Sequence, residues 1–192
     1  MKIEKGIVQQ KQSLSEKILL HLAGCVDAGC SYTFQKRTGI SGKLIRSFIR
    51  TNKKDFRTSI TELKKEKFIE KKTNYDGSVV VSLTDRGKLR ALNIRFRRLN
   101  DKKEKWDGKW RMVAFDIPEE FRKGRNALHY RMHMAGFYEL QKSIFLYPHE
   151  CEKEIRDFVA LFELQKYVCF ALLDSIDGQE FLKKKFRLSE LI

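Results

Sequence analysis

The chain has 192 residues, 42% of them hydrophobic, with 14 Phe, only 2 Pro and a formal net charge of +15. That length suits one large domain or two small ones, and the apolar share excludes a disordered basic tail. No apolar run approaches the roughly 20 residues of a membrane span, and no apolar segment follows Met1-Lys-Ile-Glu-Lys5 to make a signal peptide, so a cytoplasmic protein is expected. The charge is segregated: residues 1–105 carry 26 Lys and Arg against 11 Asp and Glu, whereas residues 106–192 carry 14 of each. A cationic module joined to a neutral one suits a polyanion-binding half and a half that assembles, senses or catalyses, with nucleic acid the leading partner.

Ser13-Leu-Ser-Glu16 reads as a capping box, and Leu14, Ile18, Leu22 and Cys25/Val26 follow at helical spacing, which predicts a first helix over 14–27. Leu44, Ile45, Phe48 and Ile49 predict a second helix between 42 and 51. A third is expected from 53 to 67, with Phe56, Ile60 and Leu63 on one face. Lys53, Lys54, Arg57, Thr58, Thr61, Lys64 and Lys65 then face outward. Phe68-Ile-Glu-Lys-Lys72 alternates as a short strand, Asn74-Tyr-Asp-Gly77 turns, and Ser78–Leu83 returns as a second strand. Thr84-Asp-Arg-Gly87 opens a helix over 85–99 bearing Leu89, Leu92 and Phe96. Arg95, Arg97 and Arg98 extend its basic surface toward a linker at 101–105.

Helices followed by a two-stranded hairpin and another helix describe a winged helix-turn-helix. Its third helix can enter the major groove while the hairpin lies along phosphates or a minor groove. The ordered set resembles bacterial winged-helix repressors. On this reading the groove helix contributes Lys53, Lys54, Arg57, Thr58, Thr61, Lys64 and Lys65, and the hairpin contributes Lys71, Lys72 and Tyr75. A helix bearing lysines can also be merely a solvated face, and some winged helices bind protein.

In the neutral half, Trp106-Asp-Gly-Lys-Trp110 leads into an apolar strand ending in Asp116. A helix opens at Ile117-Pro-Glu-Glu120 and runs to Ala135, where Gly136 caps it. One or two strands over 137–148, a helix over 150–163 and a strand over 166–173 complete the order β-α-β-β-α-β, the ferredoxin-like plan. The fold class is therefore α+β, with a winged helix-turn-helix over 1–104 and a ferredoxin-like dimerisation domain over 105–192. One open sheet face and unpaired edges would favour a homodimer. Lys183-Lys-Lys-Phe-Arg187 would track phosphates or solvate the tail, while Phe186, Leu188, Leu191 and Ile192 suggest that the tail packs on something, a partner subunit among the options.

Chemistry is sparse. Cys25, Cys30, Cys151 and Cys169 form no C-x-x-C pair, so reduced thiols are expected and a zinc module is not, although Cys25 and Cys30 could in principle bridge. His129 and His133 stand at i, i+4, a spacing that can chelate a transition metal. No third ligand is in sight, so they read as a surface pair. Ser143 and Gln141 have no partner at nucleophile–base spacing, and no glycine-rich phosphate loop occurs.

The second half carries a resemblance. The strand ending in Asp116, then Arg122, Arg125, Gly136-Phe137 and Leu140-Gln-Lys-Ser-Ile-Phe145 resemble the small CRISPR-associated adaptation protein, often classed as an endoribonuclease. Trp106-x-Gly-x-Trp110, Ile117-Pro-Glu119, Arg122-x-x-Arg125 and Gly136-Phe137 equally resemble the middle domain of the PaaX repressor of phenylacetate degradation, a family that places a winged helix before a domain of this fold. The two-domain order fits the PaaX-type family. PaaX proper continues into a third domain, whereas this chain stops at Ile192, so its acyl-CoA effector is not carried over; an effector, if any, is unidentified.

The PaaX resemblance implies a dimeric, sequence-specific repressor on double-stranded DNA that needs no cofactor. The CRISPR resemblance implies the alternative, a nuclease or adaptation subunit in which Asp116 is both the catalytic residue and the ligand of Mg²⁺ or Mn²⁺. Two symmetry-related carboxylates could share one such ion, though one acid per subunit makes a poor cage. A third reading is a scaffold that binds protein.

Overall fold

The computed structural model describes residues 13–27, 32–34, 53–75, 79–101 and 105–188. The chain forms two compact units, Met1–Ala91 and Leu92–Ile192. It is mixed α and β, with two antiparallel sheets.

In the first unit, α1 (Leu14–Asp27) starts where the capping box predicts, the Glu16 N–H donating to Ser13 Oγ at 3.2 Å. It buries Ile18, Leu19 and Leu22. The helix expected between 42 and 51 lies outside the described residues. α2 spans Lys53–Lys65 and buries Ser59 and Leu63, while Phe56 and Ile60 are only half-buried. Its end is a Schellman turn: Phe68 N–H donates to Leu63 O at 2.9 Å and Lys67 N–H to Lys64 O at 3.0 Å. Lys67 takes the left-handed conformation (φ 59°) that glycine usually fills there.

β2 (Ile69–Thr73) and β3 (Val79–Leu83) form the expected hairpin, paired from Ile69↔Leu83 to Thr73↔Val79. A strand absent from the sequence reading, β1 (Tyr32–Phe34), pairs with the far side of β3 and gives the order β1-β3-β2. Three residues are too few to show an alternation, and the strand is fixed by a partner more than forty positions away.

Helix α3 runs over Asp85–Leu99 as expected. Thr84 accepts the Gly87 N–H on its hydroxyl at 3.1 Å and donates to Lys67 O at 2.7 Å. A Cβ at Gly87 would lie 1.9 Å from the Phe68 carbonyl oxygen. The Thr-x-x-Gly of this segment is thus a packing requirement: the helix backbone meets the backbone of the turn just before β2, with no room for a side chain.

The second unit contains β4 (Trp110–Phe115), a 3₁₀ turn (Glu119–Phe121), α4 (Arg122–Met134), β5 (Tyr138–Gln141), β6 (Ile144–Tyr147), α5 (Glu152–Leu161), β7 (Val168–Leu173) and α6 (Gln179–Lys185). The expected helix at 117–120 begins instead as the 3₁₀ turn, and α4 proper starts at Arg122. Gly136 (φ 81°) closes α4, with Phe137 N–H donating to Met132 O at 3.0 Å. The sheet order β5-β6-β4-β7, all antiparallel, is the ferredoxin-like arrangement.

Alternation along β4 divides its side chains between the two faces of this sheet. Val113 and Phe115 join Phe145, Tyr147, Leu128, Met132, Ile155 and Phe158 in the larger core. Trp110 and Leu146 are buried on the other face against Leu182 and Leu188. The expectation of an open face is therefore corrected. The tail packs on its own sheet through Leu188 and Phe186, the latter 6.0 Å from Trp110, with Phe181 6.0 Å from Tyr138; Leu191 and Ile192 lie outside the described residues.

At one end of the sheet Arg111, buried to 6% exposure, donates to both carboxylate oxygens of Asp107 at 2.7 and 2.6 Å and to Pro148 O at 2.8 Å. This hydrogen-bonded guanidinium holds the Asp107 pKa down to about 2.

Candidate nucleic-acid interface

The residues expected on the outer face of α2 lie where helical periodicity puts them. Lys54, Arg57, Thr58, Thr61, Lys64 and Lys65 are all exposed, opposite buried Ser59 and Leu63. Lys53 opens the same helix. Positions three and four apart share a face, so these side chains form one basic stripe about three turns long. The two threonines are more constrained than the sequence suggests. Thr58 Oγ1 donates to Lys54 O at 3.1 Å and Thr61 Oγ1 to Arg57 O at 2.9 Å. What each can offer a ligand is a methyl group and an acceptor lone pair, not a donated proton.

The turn at Lys67 carries the chain straight from α2 into the hairpin. Lys71 and Lys72 are exposed on β2, and Tyr75 at its tip is fully exposed (114% of its reference area). The neighbouring Glu70 is engaged, accepting from Ser82 Oγ at 2.9 Å. Arg86 stacks over the Phe68 ring at 5.1 Å. The described parts of the first unit thus hold the basic helix and the basic hairpin in one body.

Three other basic positions are committed within the second unit. Arg95 is half-buried, hydrogen-bonds to Asp157 and lies 3.7 Å from Glu154, which removes it from the basic surface expected for Arg95, Arg97 and Arg98. Lys183 pairs with Glu180 at 2.7 Å and sits over the Trp106 ring, and Lys185 sits over Tyr138. The lysines of the tail therefore help to fasten it to the sheet.

Asp116 is exposed just past the end of β4, and its N–H donates to Tyr167 O at 2.9 Å. The nearby acid Glu119 is occupied by Arg125 at 2.8 Å and Arg122 at 3.4 Å. Among the described residues, the group of three metal-ligating side chains is a different one: His129, His133 and Glu139. The third ligand missing from the sequence reading comes from β5. Beside it lies a surface cavity of 380 Å³ lined by Phe115, Arg125, Asn126, His129, Lys142 and Ser143.

No helix among the described residues is long and apolar enough to cross a membrane. No curated protein and no solved structure matches the chain. Residues 103–182 match the family model described as the PaaX protein central Cas2-like domain, a span that contains the whole ferredoxin-like sheet. Both resemblances carried by Trp106–Trp110, Asp116, Arg122, Arg125 and Gly136-Phe137 thus meet in one family model: the second domain of this chain is similar to the PaaX central, Cas2-like domain.

Proposed function

We propose that the protein is a sequence-specific, dimeric transcriptional regulator of the PaaX type, acting as a repressor on double-stranded DNA, with residues 1–104 binding DNA and residues 105–192 holding the dimer. The observation that carries this reading is the exposed basic stripe of α2, running directly into a hairpin tipped by Lys71, Lys72 and Tyr75. An α-helix fits the major groove of B-DNA, where lysine and arginine read guanine and a threonine methyl packs on the thymine methyl. The back-bonded hydroxyls of Thr58 and Thr61 favour that methyl contact. Lys71, Lys72 and Tyr75 would fix the register on the backbone without reading sequence.

The test is selection of bound duplexes from a random pool near physiological salt, where non-specific binding is weak. An inverted repeat among the recovered sequences supports a dimeric regulator; recovery without a motif counts against it. On the selected site, log affinity against log salt should fall by about 0.9 per phosphate neutralised. Replacing Lys71 and Lys72 by Ala should reduce that slope by up to about 2 without relaxing the motif. Arg57→Ala should instead relax the motif at one position, at a cost of about 1–3 kcal/mol. A flat salt response would overturn the proposal.

The Cas2-like family of the second domain favours one further reading, a Mg²⁺- or Mn²⁺-dependent nuclease with Asp116 at its centre. It requires metal-dependent cleavage that disappears in a folded Asp116→Asn variant.

A further inference from the structure

His129 and His133 project from one face of α4 a turn apart, their rings 4.5 Å between centroids. The left-handed turn at Gly136 sends the chain back as β5, and Glu139 arrives facing both. Its carboxylate oxygens lie 3.6 Å from His129 Nε2 and 2.9 Å from His133 Nε2. One ligand atom from each of the three residues falls within 4.8 Å of the others. Ligand atoms about 2.0–2.2 Å from a tetrahedral Zn²⁺ stand roughly 3.4 Å apart, so small side-chain rotations complete the geometry.

The site is supported from beneath. Both imidazoles stand edge-on to the fully buried Phe145 ring, each 5.3 Å from its centroid. Glu139 is the register partner of Phe145, next to the irregularity between Glu139 and Gln141 that aims β5. The imidazoles and the carboxylate are therefore held by the core of the domain.

We propose that His129, His133 and Glu139 bind a divalent transition-metal ion. Two imidazole nitrogens and one carboxylate oxygen suit Zn²⁺, Co²⁺ or Ni²⁺; Mg²⁺ and Ca²⁺ prefer oxygen alone. With three protein ligands the ion keeps a position for water or an anion. His129 also lines the cavity that contains Lys142, whose charge favours an anion as the exogenous ligand; Arg125 in the same cavity is already paired with Glu119. This site excludes Asp116 and stands whether or not the chain binds DNA.

The experiment is titration of the full chain with Co²⁺, followed by its visible d–d bands, and then displacement with Zn²⁺. One equivalent should develop the bands and Zn²⁺ should abolish them. His133→Gln and Glu139→Gln, both at partly exposed positions, should weaken binding by more than about tenfold, since even outer-shell partners carry effects of that size. His149→Gln should leave the bands unchanged. Zn²⁺ should raise the Tm of the native chain and not that of Glu139→Gln, a readout that also verifies folding of the variant. Absence of bands in excess Co²⁺, bands that persist in both ligand variants, or bands lost in His149→Gln would each overturn the assignment.

Discussion

Met1–Ala91 and Leu92–Ile192 are similar in length but differ in both charge and core. The first carries 20 Lys and Arg against 9 Asp and Glu, the second 20 against 16. Of the largest fully buried side chains among the described residues, only Leu19 belongs to the first unit, whereas Trp110, Phe96, Phe145 and Phe158 belong to the second. Among the described residues, the first unit carries its excess positive charge exposed on α2 and β2, over a core that is mainly aliphatic. The other neutralises much of its charge internally, as Arg95, Arg111 and Arg125 show, around a core rich in aromatic rings. Exposed cationic charge suits the recognition of a polyanion, and a dense aromatic core suits a stable fold.

The sharpest way to break the contrast is to remove an aromatic from the heavier core. Phe158 stacks on Phe162 at 4.5 Å, meets Phe96 edge-on at 6.2 Å and underlies the Arg131 guanidinium at 5.1 Å. Phe158→Ala should cost about 3–5 kcal/mol. The check is denaturant unfolding followed by tryptophan emission, which reports on the second unit alone because both tryptophans, Trp106 and Trp110, lie there.

Next in size is Gly87→Ala in the first unit. Its methyl group would collide with the Phe68 carbonyl at 1.9 Å, a backbone atom that cannot swing away. A loss of about 3 kcal/mol is expected, at the upper end of overpacking effects, measured as an earlier loss of helical far-UV circular dichroism.

Asp107→Asn tests the internal neutralisation of the second unit. The folded-state pKa of Asp107 lies below its ordinary value of 3.8, held down chiefly by the hydrogen bond from Arg111. The ionised acid therefore stabilises the fold fully above about pH 4, and this contribution disappears as the pH falls toward 2. Asp107→Asn should cost about 1–2 kcal/mol at neutral pH, because Arg111 keeps Pro148 O and Glu150, and the variant's stability should change less between pH 5 and 2 than that of the native chain.

The smallest effect runs the other way. Lys67→Gly relieves the left-handed backbone at the end of α2 and should stabilise the first unit by about 0.5–1 kcal/mol, seen as a raised denaturant midpoint.

What could be read from sequence was what local chemistry decides. Ser13, the apolar spacing that follows it, and Thr84-x-x-Gly87 place α1 and α3 because caps and helical periodicity act over a few residues. The β-α-β-β-α-β order followed from the same kind of signal, aided by Gly136. The basic stripe of α2 was legible because a helix turns at a fixed angle, and exposure simply follows the phase set by Leu63. Distance along the chain hid the rest. β1 takes its identity from β3, the tail finds the second sheet face only once Trp110 and Leu146 are in place, and Arg95 is withdrawn by acids on α5. Glu139 joins two histidines on another element through a tight turn and a strand irregularity, neither of which leaves a pattern to read. Resemblance to a domain family recovered the sheet, but it did not point to those three ligands.

Trp110 and Leu146, sealed beneath α6, bear on how copies of this domain can assemble. A four-stranded sheet with one bare face can stack on its twin; this one carries its own cover. What the sheet itself leaves open is its two margins, β5 on one side and β7 on the other, where backbone amides and carbonyls could be shared with another strand. Assembly of that kind would lengthen a sheet and leave its interior untouched, so that copies pairing in this way would not have to expose the aromatic core that keeps the domain folded.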